Sequence, residues 1–359
     1  MIHNRITDSD DTRELRVLIV GLGSIGQRHA RNLRSLLGDR VSLYAYRVQR
    51  SAPVLSDDLR ADHGQRPEDV YGIQTCDSLD HALDQRPQVA LICNPTVHHL
   101  GPAIKCLSAG CDVFIEKPVS DSMRGIDSLV DLAEERGAIV GVSSQLRFHP
   151  ALQRLRSVLQ SGQMGRPLAV RAEVGEYLPG FHPYEDYRSS YASQRSLGGG
   201  VVLTLIHDID YLVWLFGMPR RLFSVGGQLS SLELDVEDVA SILMECGDAD
   251  AIFPVHLQMD YVRRPPRRSC HVLCDKGAAD LDLRANSLQI ANALGERLED
   301  MNLDSLERNS LFLAQMVDFL DACRTRRAPS VNLADGIAAM RVGDAVRESL
   351  TGGHVVVVA

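Results

Sequence analysis

The feature that most constrains this chain is the run from Arg16 to Arg47, RVLIVGLGSIGQRHARNLRSLLGDRVSLYAYR. A short apolar segment, Val17 to Val20, reads as a buried strand. Gly21-Leu22-Gly23-Ser24-Ile25-Gly26 follows at once, a helical pattern covers Ser24 to Leu37, and a second strand runs from Val41 to Tyr46. That order is a βαβ unit carrying a GxGxxG turn, the arrangement that binds a dinucleotide. Gly21 permits the tight turn, Gly23 lets the backbone approach a pyrophosphate, and Gly26 lets the helix pack on the strand. The helix start at Ser24 and Ile25 offers N–H groups and a favourable dipole to phosphate. The alternative is a glycine-rich turn with no ligand, and the flanking strand, helix and strand speak against it.

At 359 residues the chain exceeds the usual size of one domain. Strand and helix signals alternate through residues 15–145, which predicts a doubly wound parallel sheet of the Rossmann type. Within it, Ser51 to Val70 reads as a loop-rich stretch, Val89 to Cys93 and Asp112 to Ile115 as strands, and Asp121 to Arg136 as a helix. From Pro167 the strands lengthen and few helices separate them, so residues 146–359 predict a second α/β domain on an antiparallel or mixed sheet. One helix, Gly200 to Phe216, interrupts that set, and helices over Leu303 to Arg326 and Asn332 to Thr351 close the chain.

A formal charge of −9 argues against nucleic acid as a partner. No apolar stretch reaches membrane-spanning length. Residues 1–14 are polar and acidic, a loose lead-in without the apolar core of a signal peptide, so a cytoplasmic location is expected. The eight cysteines are scattered, which fits reduced thiols in such a compartment, and no spacing among them suggests a metal site.

Two motifs stand at carboxyl ends of the predicted parallel strands, where open α/β sheets bind ligands. The first is Cys93-Asn94-Pro95-Thr96 with His98 and His99 beyond; the second is Glu116-Lys117-Pro118. A lysine so placed can bond a substrate hydroxyl and exchange its proton; the plain alternative is an ion pair between Lys117 and Glu116. A third cluster is Gly198-Gly199-Gly200 followed by Thr204, His207, Asp208, Asp210 and Tyr211. His207 shares a helix face with Asp210 and Tyr211 by spacing, although a histidine inside an apolar helix is commonly a core residue. Arg147 and His149, past the sixth strand, and Tyr187 and Tyr191, before the glycine run, are candidates to hold a sugar ring and its phosphate or carboxylate.

Taken in order, GLGSIGQRH, CNPTVHH, EKPVS, the glycine-led HDIDYLVWLFG helix and NLADGIAAMRVGDAVRESLTGG resemble the Gfo/Idh/MocA oxidoreductases over about residues 15 to 359. The resemblance implies an N-terminal Rossmann domain and a C-terminal α/β domain with a large open, mostly antiparallel sheet. It implies hydride transfer between a nicotinamide and a carbon bearing a sugar or cyclitol hydroxyl, with Lys117 and His207 lining the reacting carbon. Gly21, Gly23, Ser24, Ile25, Gly26, Asn94, Pro95, Thr96, His99, Glu116 and Lys117 are then the cofactor contacts; Lys117, Arg147, His149, Tyr187, Tyr191, Thr204 and His207 are the substrate contacts. Family members commonly carry an Asp one turn before the histidine; here Leu203, Thr204, Leu205 and Ile206 precede His207.

The second strand ends Tyr46-Arg47-Val48-Gln49-Arg50, with no acid for the ribose 2′-OH of NAD. Arg47 and Arg50 can instead pair with a 2′-phosphate, so NADP is expected ahead of NAD. The expected substrate is a sugar, with nucleotide-linked amino sugars first and free sugars or cyclitols as the alternative. A homodimer or homotetramer is expected through the open sheet face. A reading from a different class is a catalytically silent NAD(P)-sensing protein on the same fold.

Overall fold

A computed structural model describes residues 14–48, 53–56 and 58–358. The expected lead-in, apart from Glu14, and Arg50 therefore lie outside the described residues. The chain divides into two compact units: one comprises Met1–Gln145 with Arg308–Gly336, the other Leu146–Glu307 with Ile337–Ala359.

The first unit is built on β1 (Leu15–Val20), α1 (Ser24–Leu37) and β2 (Val41–Tyr46), with the boundaries that the apolar pattern predicts to within two residues. The stretch expected to be loop instead holds a two-stranded hairpin, β3 (Val54–Leu55) with β4 (Ala61–Asp62), and a short helix α2 (Pro67–Tyr71). Then follow β5 (Ile73–Cys76), α3 (Leu79–Asp84), β6 (Val89–Ile92), α4 (Leu100–Ser108), β7 (Asp112–Ile115), α5 (Ile126–Arg136) and β8 (Val140–Val142). The six long-range partners form one sheet in the order β5-β2-β1-β6-β7-β8, and every pairing in it is parallel. This is a Rossmann sheet.

Its core joins Val17 and Ile19 of β1, Leu43 of β2, Leu91 of β6 and Leu33 of α1. Met316, Phe319 and Ala322 belong to the same core. They come from α9 (Arg308–Thr325), which the sequence reading places in the second domain. The reason is packing: the Phe319 ring lies 5.0 Å from that of Phe114, and Gly141 leaves room for it, since an added Cβ would stand 2.7 Å from the Phe319 ring. Residues 308–336 thus belong with the first unit, and Val331 continues the sheet edge by accepting the Val142 N–H at 3.1 Å.

The second unit contains α6 (Pro150–Gln160), β9 (Pro167–Gly175), α7 (Val201–Thr204), α8 (His207–Phe216), β10 (Arg221–Gly227), β11 (Val239–Cys246), β12 (Phe253–Asp260), β13 (Arg267–Cys274), β14 (Gly277–Asp282), β15 (Ser287–Asn292) and β16 (Arg297–Asn302). The last helix, α10 (Leu333–Gly352), and β17 (Val356–Val357) end the chain. Nine strands form one sheet in the order β16-β15-β14-β13-β9-β12-β11-β10-β17, antiparallel except for β9 with β12. Ala172, Leu222, Ile242, Leu257, Val272, Leu281 and Leu288 make its buried face, with α6 against β14 and β15 and α7 against β11 and β12. β15 and β16 escape the sequence reading because β15 has only Leu288 and Ile290 as alternating buried positions, and β16, at the end of the sheet, is largely polar.

The helix expected over Gly200 to Phe216 is two helices. Leu205 leaves helical geometry (φ −99°, ψ 24°), and the axes bend by 46° there. His207 therefore opens α8 instead of lying inside a longer helix. No single described helix is long and apolar enough to cross a membrane.

Candidate functional site

In the first unit the glycine turn is held from both sides. The Gly21 N–H donates to the Tyr46 carbonyl of β2 at 2.9 Å. Gly21 has φ +97°, and an added Cβ would stand 2.8 Å from the Asn94 nitrogen, so the turn rests directly on the loop after β6. A Cβ on Gly26 would stand 2.1 Å from the Gly21 carbonyl oxygen, which closes α1 onto the turn. At Gly23 the situation is opposite: an added Cβ meets nothing within 4 Å. Gly23 is the N-cap of α1 and has no side chain to cap it. The first helical bond runs from the Gln27 N–H to the Gly23 carbonyl at 3.0 Å, so the N–H groups of Ser24, Ile25 and Gly26 lie ahead of it as helix-start donors. Open space over an uncapped helix start fits a pyrophosphate.

The loop after β6 is tied to the loop after β7 by one ring. Buried His99 has Nε2 2.7 Å from the Asn94 carbonyl and Nδ1 2.8 Å from the Pro118 carbonyl. Burial pulls His99 below the ordinary histidine range, against the two carbonyls and Glu116, which favour its charge. Asn94 also donates from Nδ2 to the His98 carbonyl at 2.8 Å, while Pro95 is exposed and Thr96 buried. Glu116 is buried and lies 2.7 Å from Nε2 of His29, a residue of α1. Burial opposes the Glu116 charge, but His29, Lys117 and Ser143 outweigh it and hold the carboxyl below the ordinary glutamate range. Lys117 is half-buried at the end of β7. The first unit thus brings together Gly21, Asn94, His99, Glu116 and Lys117. His29 is a partner the sequence does not advertise, since it looks like any polar residue of an amphipathic helix.

Arg47 follows β2 and is nine-tenths buried in an ion pair with Glu68 of α2. Glu68 is likewise missed by sequence reading, because α2 itself is.

In the second unit, His207 starts α8 and is buried, as is Thr204. Beside Thr204, the buried Tyr261 hydroxyl donates to the Ala192 carbonyl at 3.4 Å, and burial raises its phenol well above the tyrosine range. Asp208 is wholly buried and takes an ion pair from Arg268 of β13 at 3.1 Å. Asp210 takes a bidentate pair from Arg147, with Nε at 2.9 Å and Nη2 at 2.7 Å. Arg147 was expected to hold substrate; the fold commits its guanidinium to Asp210 and sets it over Trp214 at 5.5 Å. His149 is similarly engaged: Nδ1 accepts the Ala151 N–H as the N-cap of α6, and Nε2 lies 3.1 Å from Oδ1 of Asn286. Tyr187 and Tyr191 sit half-buried in short 3₁₀ turns, and the Tyr187 hydroxyl accepts the Glu233 N–H at 3.2 Å. Among the described residues no group of three or more His, Cys, Asp or Glu side chains is arranged to hold a metal ion.

Comparison with known proteins places this geometry. Residues 15–144 match the oxidoreductase family with an NAD-binding Rossmann fold, and residues 152–280 match the GFO/IDH/MocA C-terminal domain. The chain belongs to the Gfo/Idh/MocA oxidoreductases. It is 25% identical over 349 residues to myo-inositol 2-dehydrogenase of Thermotoga maritima, covering 94% of this chain and 96% of that protein. It is 26% identical over 336 residues to UDP-N-acetylglucosamine 3-dehydrogenase of Acidithiobacillus ferrooxidans, covering 91% and 94%. Among solved structures, a gentamicin A biosynthesis protein in complex with NAD shares the fold with a TM-score of 0.78 at 20% identity, covering 97% of each chain.

Proposed function

We propose that this protein is an NAD(P)-dependent sugar dehydrogenase or reductase in which Lys117 carries the proton. The observation that bears most weight is the open cradle at Gly23, over an uncapped helix start and beside the loops that carry Asn94 and Lys117. Gly21 to Gly26 and Asn94 to His99 hold the dinucleotide in this reading. When bound, the nicotinamide supplies or accepts the hydride. As the substrate carbon loses hydride, its hydroxyl loses a proton, and the Lys117 amine takes it; in the reverse direction the ammonium returns it. Glu116 and His29 fix the backbone that presents Lys117. For the second unit, the family resemblance names His207, Thr204, Tyr187 and Tyr191 as the residues that hold the sugar.

A sugar substrate, nucleotide-linked or free, is supported by relatives named for a nucleotide sugar and for inositol along nearly the whole chain. Cytoplasmic location fits the eight unpaired cysteines, all buried except Cys323. A homodimer or homotetramer forms through the open face of the nine-stranded sheet, where Phe223, Val225, Leu243 and Leu273 are exposed. The choice between NADP, expected from Arg47 and Arg50, and NAD falls on the Arg47–Glu68 pair.

The test is the absorbance of reduced nicotinamide with a panel of myo-inositol, free sugars and UDP-N-acetylglucosamine. Turnover with one class assigns the substrate. Joint binding of cofactor and sugar without turnover on any of them would replace the enzyme by a sensor.

A further inference from the structure

The end of the second strand is where a dinucleotide-binding sheet discriminates NAD from NADP, because the adenosine ribose lies over it. The sequence offers a cation there and no acid. The fold adds what the sequence lacks. Arg47 follows Tyr46, the residue whose carbonyl anchors the Gly21 N–H, so its side chain starts beside the glycine turn. Its guanidinium is paired with the Glu68 carboxylate, and that side chain is only 5% exposed. Arg66 stands on the other carboxylate oxygen, at 3.6 Å, and is mostly exposed. Glu68 is not loosely held. Arg34 of α1 donates to the Tyr71 and Gly72 carbonyls at 2.8 and 2.9 Å, and Arg31 donates to the Tyr71 hydroxyl at 3.1 Å, which pins α2 to α1.

We infer that Glu68 sets the nucleotide preference of this site: it holds Arg47 in a buried ion pair and supplies the acid that the end of β2 lacks, so that NAD binds in preference to NADP. The inference rests on the reading of the glycine turn as a dinucleotide site. A 2′-phosphate brought to Arg47 meets the Glu68 carboxylate as well, and like charges repel. To bind that phosphate, Arg47 would have to leave a buried partner, stranding the carboxylate. The NADP preference expected from Arg47 alone is thereby reversed.

Equilibrium titration of NAD and of NADP against the parent, Glu68→Gln and Glu68→Gln/Arg47→Met tests this, with a denaturation curve for each protein. The parent binds NAD more tightly. Glu68→Gln keeps the shape, takes the carboxylate charge from beside Arg47 and Arg66, and moves the affinity ratio toward NADP by about tenfold to hundredfold, the worth of one charge-assisted hydrogen bond. Adding Arg47→Met takes back most of that gain. Arg47→Met alone, which removes the cation and keeps the Glu68 charge, weakens NADP further and serves if Glu68→Gln does not fold. A parent that prefers NADP overturns the inference. So does a folded Glu68→Gln protein whose ratio moves by less than about threefold, or an Arg47→Met protein that gains NADP affinity. A parent that binds neither nucleotide overturns the dinucleotide reading itself, and this inference with it.

Discussion

Gly23 and Gly26 belong to one motif, yet their surroundings predict opposite consequences of adding a methyl group. Gly23 has φ −70° and ψ −168°, extended backbone that any residue adopts, and its Cβ would meet nothing within 4 Å. Gly23→Ala gains about 0.4–1 kcal/mol from a stiffer unfolded chain. It loses a comparable amount because alanine is a poorer N-cap than glycine. The net change in folding stability is within about 1 kcal/mol. Gly26→Ala places its Cβ 2.1 Å from a backbone oxygen, and that backbone is held by the Gly21–Tyr46 hydrogen bond. Overpacking of this kind costs about 1–3 kcal/mol. Cofactor binding should follow the other order of reasoning. A side chain at 23 fills the space over the helix start and keeps a pyrophosphate from the N–H groups. One or two charge-assisted bonds lost, at about 1.5–3 kcal/mol each, weaken NAD by tenfold to more than a hundredfold. Calorimetric titration of NAD and urea denaturation of Gly23→Ala, Gly23→Val and Gly26→Ala separate the two effects. A Gly23→Val protein that binds NAD like the parent would refute the cradle. Gly23→Ala unfolding as readily as Gly26→Ala would refute the steric reasoning.

Lys117→Ala should lower turnover by about 10²–10⁴ with NAD affinity nearly unchanged, and His207→Ala should cost less; near-normal turnover in Lys117→Ala places the proton transfer elsewhere. Asp210→Asn takes the charge from a buried bidentate pair and should cost about 3–5 kcal/mol of stability while leaving the pH–rate profile of the folded enzyme in place. Burial lowers the His149 pKa, so the unfolded chain takes up the proton first: stability is full above about pH 6.5 and falls below it. Protonated Nδ1 also cannot accept the Ala151 N–H, so between about pH 7.5 and 5.5 the parent should lose more stability than His149→Asn, which caps without titrating; equal losses refute the cap. Light scattering at micromolar concentration should show a dimer or tetramer, and a monomer would remove the role given to the exposed sheet face.

The first unit is legible where period and punctuation agree. An apolar run, three glycines, an amphipathic stretch and a second apolar run yield β1, α1 and β2. Legibility fails at α2, which is five residues long and carries too few apolar positions to show a period. With it goes Glu68, whose meaning depends on reaching Arg47. Arg47 alone reads as a phosphate ligand; Arg47 paired reads as the opposite. Assigning α9 to the wrong unit has another cause. Its pattern announces a helix, but which sheet it covers is decided by Phe319 finding the hollow at Gly141, a contact far apart in sequence. The break at Leu205 is hidden for a similar reason. Val201 to Ile206 is apolar apart from Thr204, and neither glycine nor proline interrupts the run to Phe216, so no helix breaker marks where one helix stops and His207 begins the next.

The acids beside His207 can be weighed by magnitude. The family commonly places a carboxylate one turn before this histidine, and here the acids of the same segment, Asp208 and Asp210, follow it in the first turn of α8. Negative charge is favoured at that end of a helix, and each carboxylate meets an arginine from another part of the same unit: Arg268 of β13 for Asp208, Arg147 ahead of α6 for Asp210. A third cation, Arg156, packs at 4.3 Å over Trp214, the ring that also carries Arg147. These pairs fix the position and rotation of a ten-residue helix that begins at His207. For Asp210 to relay a proton it would have to become neutral during turnover and strand buried Arg147, at a cost of about 3–5 kcal/mol; wholly buried Asp208 is likewise committed to half-buried Arg268. General acid–base assistance is itself worth only about 3–5 kcal/mol, or 10²–10⁴ in rate. The two cancel, so Asp210, spent on an interior arginine, gives no catalytic advantage. Asp208 and Asp210 therefore hold the helix, and the acid missing before His207 has no substitute in α8. Proton traffic in the proposed reaction falls to Lys117, with His207 as the group that the two ion pairs keep in place.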